Sequence, residues 1–378
     1  MPSLSSRELV ELVKSVFPRF PGDRVLSVLC DVPRDPDRDN SPWAERRALA
    51  YEWFAALKDG RADIPLEAVR FVAYPDAGSN NADLPGEAFV LAGPPPDTAA
   101  GLDAAGLRVT FTHVFAESQL ILAPTEYSTT APLKVAAKKF GFRAATMPGF
   151  AASMIPALRI DYGEVARRVD VLKARLDAAH WAEVRFVVDG WRECTMRFDL
   201  RFRTAHASTG RFPEAGTAGN LPSGEAYIVP YEGEKGEPSG TKGTLPVEIK
   251  GEVALFTIAR NRAVAVAGDG PAAAAERDHI RREPAYANLA ELGFGVLADF
   301  GITPVGEILL DEKLGLHVAF GRSEHFGGIV GPSAFSKPSE VIHLDRIYIP
   351  ESMPRIAVAS VKISDETVME GGRYTIFA

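Results

Sequence analysis

Histidine is the side chain that most readily binds metals and moves protons near neutral pH, and this chain spaces its histidines unevenly. Seven occur, at positions 113, 180, 206, 279, 317, 325 and 343, and three of them fall between His317 and His343. The same stretch holds Asp311-Glu312-Lys313 and the pair His343 and Asp345, which flank Leu344. On a strand alternate residues face one side, so imidazole and carboxylate would project together while Leu344 packs behind them. One nitrogen and one oxygen so placed suit a divalent metal. His317 sits in a strand pattern of its own, Leu316–His317–Val318, where a polar group needs a partner. A metal is one such partner and a hydrogen-bonding neighbour is the ordinary one. His325, beside Gly327 and Gly328, reads equally as a turn residue, and Glu312 as a solvated carboxylate.

Two upstream segments carry carboxylates among apolar neighbours. Glu225 stands between the turn Pro222-Ser223-Gly224 and the apolar run Ala226–Val229. Glu291 lies in Leu289–Leu292 and is followed by Gly293 and Gly295, which let backbone approach closely. A carboxylate with apolar flanks is costly unless it is ion-paired or metal-bound. Either partner satisfies this pattern.

These residues need elements to position them. Leu9, Val10, Leu12, Val13 and Val16 make one helical stripe, with Ser6 as its cap and Pro18 as its stop. Residues 21–24 read as a turn, 25–32 as a strand, 43–57 as a helix and 69–75 as a strand, which is the order of a parallel βαβ unit. Strands are expected at 109–116 and 120–124, then helices over 133–140 and from Val165 to Leu176. Lys134, Lys138 and Lys139 mark a solvated helix face. Beyond residue 178 strand-like runs at 184–188, 194–202, 253–259 and 262–268 follow with little helix between them. Residues 231–250, rich in glycine and lysine, read as a loop or hairpin insertion. The expected architecture is α/β: an N-terminal α/β domain with a parallel sheet over 1–178, then a strand-rich α+β metal-binding domain over 179–378.

Composition bounds the function classes. The chain has 378 residues, 42 lysines and arginines against 50 aspartates and glutamates, and a net charge of −8. That balance disfavours nucleic acid and acidic lipid as partners. Cys30 and Cys194 are the only cysteines, which excludes a disulfide scaffold and a cysteine-rich zinc site. The first residues lack a basic head and a long apolar run, and no stretch approaches the ~18 apolar residues of a membrane span, so a cytoplasmic protein is expected. Phosphate-loop, dinucleotide, zincin and nucleophile-elbow motifs are all missing.

Taken in order, Asn220-x-Pro222-x-Gly224-Glu225, then Glu291-Leu292-Gly293-x-Gly295, then Asp311-Glu312-Lys313 with His317 and Ala319-x-Gly321, then His343-x-Asp345, the motifs resemble the aminopeptidase T family of metallopeptidases. The resemblance covers most of the chain. It implies that Glu225, Glu291, His317, His343 and Asp345 are metal ligands, with Glu312 a further ligand carboxylate. It also implies a C-terminal β-rich domain holding the metals, a homodimer, and a small peptide or other small molecule as substrate. Oxygen and nitrogen donors without thiolate suit two zinc, cobalt or manganese ions. Such a pair can bind a water as hydroxide and polarise a carbonyl, so the implied function is a metal-dependent aminopeptidase or related amide hydrolase.

One family feature is absent. Members place a tyrosine about seven residues after the histidine matching His317, and Glu324 stands there, next to His325, with no tyrosine close by in sequence. Glu324 or His325 then takes that place, as ligand or as general base. Two alternatives follow from the same resemblance. The fold is similar to that of a mononuclear non-haem iron dioxygenase that opens dihydroxypyridine rings, which keeps the H-x-D pair, and two histidines with a carboxylate suit iron. The other is a non-catalytic relative that keeps the fold as a binding module.

Overall fold

A computed structural model describes residues 3–18 and 22–377 of the chain. The chain divides into two compact units: Met1–Ala166 with Gly210–Ser223 and Val305–Leu310, and Arg167–Thr209 with Gly224–Pro304 and Asp311–Ala378. The fold is α/β in the first unit and strand-rich in the second.

A seven-stranded mixed sheet organises the first unit. Its order is Ala218–Asn220, Arg143–Thr146, Leu120–Ala123, Val25–Val32, Ala68–Pro75, Glu87–Leu91, Gly106–Thr110. The first five pair in parallel, and each of the last two pairs antiparallel with the strand before it. Helix Ser41–Asp59 makes the crossover between Val25–Val32 and Ala68–Pro75, as expected of a βαβ unit. Asn40 caps that helix, its side chain accepting from the Trp43 backbone N–H at 2.9 Å. Trp43, Trp53, Phe54 and Leu57 form the buried stripe. Phe54 stacks on Phe71 at 5.4 Å, while the alternate strand residues Val72 and Tyr74 join a core with Phe111, Phe115, Leu133 and Phe142. Truncating a ring such as Phe71 to alanine would cost about 3–5 kcal/mol.

Helix Ser6–Val16 is capped by Ser5 rather than Ser6, with Glu8 completing a capping box. The turn expected at 21–24 includes Pro21, which lies outside the described residues. The strand expected over 109–116 is a different structure: strand Gly106–Thr110 ends at Thr110, and Phe111–Glu117 is helix. The Thr110 hydroxyl accepts from the His113 backbone N–H at 3.2 Å, and Phe111, Val114 and Phe115 at i, i+3 and i+4 bury one face. β-branched and aromatic residues gave the segment a strand-like look that its cap and burial override.

Antiparallel strands dominate the second unit. An eight-stranded sheet contains Trp181–Val188, Arg192–Asp199, Lys242–Ile249 and Glu252–Ala259, among others. The insertion at 231–250 is therefore half of a hairpin, since Lys242–Ile249 pairs along its whole length with Glu252–Ala259. The strand expected over 194–202 ends at Asp199. A five-stranded sheet has the order His343–Ile347, Leu316–Gly321, Leu289–Gly295, Glu225–Ile228, His206–Ser208. Phe320 of this sheet meets Phe256 of the larger one at 5.2 Å. Both cysteines are buried and free. Among the described residues no helix is long and apolar enough to cross a membrane.

Candidate metal centre

The five-stranded sheet sorts its residues by alternation. Ala226, Ile228, Leu292, Phe294, Leu316, Val318 and Phe320 are buried on one face. On the other face register sets Tyr227 beside Gly293 and Gly293 beside His317. Asp345 lies opposite Ala319, and Glu225 lies opposite Gly295. The small residues on this face make room for the large polar ones. A Cβ on Gly293 would sit 1.9 Å from His317 Nε2, and one on Gly295 would sit 2.2 Å from the Lys313 backbone. This gives the glycines after Glu291 a physical reason: the His317 imidazole lies across Gly293 and the Lys313 backbone across Gly295.

Four of the expected side chains converge on Glu291. Its Oε1 lies 3.2 Å from His317 Nε2 and its Oε2 lies 3.3 Å from His343 Nε2. Glu225 Oε2 is 3.5 Å from His317 Nε2, and Asp345 Oδ1 is 3.6 Å from His343 Nε2. Two groups able to hold a metal result, Glu225 with Glu291 and His317, and Glu291 with His343 and Asp345. Ligands that share one ion at ~2.0–2.2 Å stand ~3.0–3.5 Å apart, whereas a charged hydrogen bond closes to ~2.7–2.9 Å. The observed separations match the first case better than the second.

The rest of each imidazole is already committed. His317 Nδ1 donates to the Gly315 carbonyl at 3.2 Å and His343 Nδ1 to the Arg322 carbonyl at 2.8 Å. A carbonyl only accepts, so both rings carry a proton on Nδ1 and turn Nε2 toward the carboxylates, which is how ligand histidines are usually oriented. Glu225 Oε2 is buried without a hydrogen-bond partner. A buried carboxylate oxygen with no hydrogen bond, 3.5 Å from an imidazole nitrogen that a metal could take in place of a proton, fits a cation-binding role. The donor set, oxygen and nitrogen with no thiolate, fits zinc, cobalt, manganese or iron.

Charge crowding shifts these groups. Burial alone would raise the Glu291 carboxyl, but His317 and His343 outweigh it and hold it well below the usual carboxylate range. Burial raises Glu225 against the pull of Lys313 and His317. It works to lower His317, yet the Glu291 hydrogen bond and the Glu225 charge push that ring up to about 9. His343 rises for the same reason, through Asp345 and Glu291.

Glu312 lies outside both groups. Lys313, itself buried, donates to Glu225 Oε1 at 2.5 Å and to Glu312 Oε1. Burial pushes the Glu312 carboxyl up to about 8. Glu324 is exposed and paired with Arg322 at 2.9 Å. His325 stands edge-on to His343 at 5.3 Å; atoms crowding its ring, then the charges of His343 and Arg322, push it down to about 4. Two residues escaped the sequence reading. Lys313 is the cation that holds Glu225, and Tyr227 brings a phenol to the ligand face from strand Glu225–Ile228. The i, i+2 spacing from Glu225 to Tyr227 was the available signal.

Fold and face together define a two-unit α/β chain with a candidate carboxylate–imidazole metal centre on one sheet. No protein-family model matches the sequence, and no curated protein matches it. Among solved structures, the chain is similar to the 2,5-dihydroxypyridine dioxygenase of Pseudomonas putida, with a TM-score of 0.61 and 16% identity over 99% of both chains. It is also similar to wild-type AmpT of Thermus thermophilus, with a TM-score of 0.52 and 15% identity over 98% of this chain and 99% of that one. At these identities the likeness establishes a shared fold.

Proposed function

We propose that the chain is a metal-dependent hydrolase, an aminopeptidase or related amide hydrolase that holds two divalent ions. One observation carries this reading: Glu291 aims one oxygen at the Glu225–His317 group and the other at the His343–Asp345 group. A carboxylate shared in this way suits a pair of ions, because each oxygen can serve one of them. The AmpT likeness supplies a precedent for the fold. Glu225, Glu291 and His317 would hold one ion, and Glu291, His343 and Asp345 the other. Bound there, the ions would supply an activated water and a polarised carbonyl. Lys313 holds Glu225 by one oxygen and leaves the second free for a cation, while Glu312, at the Lys313 side, can keep a proton near neutral pH.

Counting metal tests the reading. The purified protein should bind about two equivalents of zinc, cobalt or manganese, and chelator-sensitive hydrolysis of aminoacyl amides should follow that content. A protein that binds one iron and consumes oxygen with a dihydroxypyridine would sink this proposal in favour of a ring-cleaving dioxygenase. A metal-replete protein inert to both substrate classes would leave a binding module.

A further inference from the structure

The ligand face is bordered by rings. Tyr227 shares that face with Glu225, stacks on His206 at 5.0 Å and meets Phe326 edge-on at 4.8 Å. Phe326 and His325 each stand edge-on to the candidate ligand His343, at 5.5 and 5.3 Å. The outer members are open, since His325 is exposed and Phe326 is half-buried, while Tyr227 is buried. Such a rim offers ring edges and faces immediately beside the metal-ligand groups, and the neighbouring charges, Glu324 and Arg322, are paired with each other at 2.9 Å.

The loop bearing these residues is held in place. Glu232 accepts from Ser323 Oγ at 2.6 Å, from Asn288 Nδ2 at 2.7 Å and from the Ile329 backbone N–H at 2.6 Å. Arg203 pairs with Glu232 at 3.2 Å and donates to the Gly327 carbonyl at 3.2 Å. A bond of 2.9 Å joins His206 Nε2 to the Phe326 carbonyl. Gly328 lies so close to this anchor that a Cβ there would stand 2.2 Å from Ser323 Oγ. A loop fixed by a buried carboxylate loses little freedom when a ligand docks on it.

We propose that the rim formed by Tyr227, His325 and Phe326 takes a planar aromatic group of the substrate, with Glu232 as the residue that positions it. The inference rests on the hydrolase reading only in placing the substrate's reacting carbonyl at the neighbouring ligands. Rings meet edge-to-face with an attraction beyond their buried area, so an aromatic side chain should bind better than an aliphatic or a charged one.

Calorimetric titration of the zinc-loaded full chain with L-phenylalaninamide, L-alaninamide and L-lysinamide tests this. Phenylalaninamide should bind about tenfold or more tightly than the other two. Most of that ratio should vanish in Phe326→Ala and return in Phe326→Tyr. Glu232→Gln should lower the ratio while leaving zinc content unchanged. Equal binding of the three amides by the wild type would overturn the inference, and so would a ratio that survives Phe326→Ala. Turnover measured in parallel separates the two ideas. Selective binding without hydrolysis keeps the rim and removes the hydrolase, and hydrolysis without ring preference does the reverse.

Discussion

Each unit buries carboxylates, and what meets them differs. Asp31, at the end of a parallel strand in the first unit, accepts from the backbone N–H groups of Glu126 at 2.8 Å and Tyr127 at 3.0 Å, and from Trp43 Nε1 at 3.2 Å. Burial pushes its carboxyl up to about 6 while those donors pull it back. Glu225 and Glu291 of the second unit are comparably buried, yet they face imidazoles 3.2 to 3.5 Å away, and one Glu225 oxygen accepts no hydrogen bond. Fixed donors complete a carboxylate and make it structural. A carboxylate that faces other ligand-type side chains at loose distance is arranged to share a cation. Burial alone would have ranked all three together.

Substitutions should split the two kinds of site. Glu291→Gln should have the largest effect: it replaces an oxygen with a donor between both groups, so metal content should collapse and hydrolysis should fall on the order of 100-fold or more. Retention of two equivalents in that variant would remove the basis for a shared bridge. Asp31→Asn should leave metal content untouched and lower stability by about 1–3 kcal/mol, because an amide nitrogen would face backbone donors. Denaturant unfolding read beside metal analysis checks both halves of that statement. The smallest effect belongs to an exposed carboxylate. The Ser5 backbone N–H and then Arg159 hold Glu8 down to about 2. A depressed carboxyl contributes stability that is fully present above about 4.5 and is lost as pH falls through about 2. Melting curves of Glu8→Gln should therefore differ from wild type above pH ~4.5 and merge with it near pH ~2, and a gap that widens on acidification would contradict the assignment.

Much of the site was legible in the residues because the relevant signals are local. His343 and Asp345 occupy one strand at spacing two, so their shared face follows from the pleat. The glycines after Glu291 announced a close approach, and the structure identifies what approaches: the His317 ring at Gly293 and the Lys313 backbone at Gly295. The helix over 111–117 was not legible, since its residue types suit a strand and only the Thr110 cap with burial of Phe111 and Phe115 decides otherwise. Tyr227 was overlooked for a related reason. A search for a tyrosine near His317 in sequence cannot find one that reaches the same face from another strand.

By itself the sequence determined the donor types, the order of the motifs, the scarcity of thiols and the change from α/β to strand-rich texture. Those are properties of composition and of short periodicity, which need no knowledge of distant contacts. The tertiary structure alone decided which carboxylates meet which imidazoles, that Glu291 lies between two groups, and that Lys313 rather than solvent holds Glu225. Each depends on cross-strand register between segments as far apart as Glu225 and Asp345. A shift of one residue in any of these strands would turn its ligand to the opposite face.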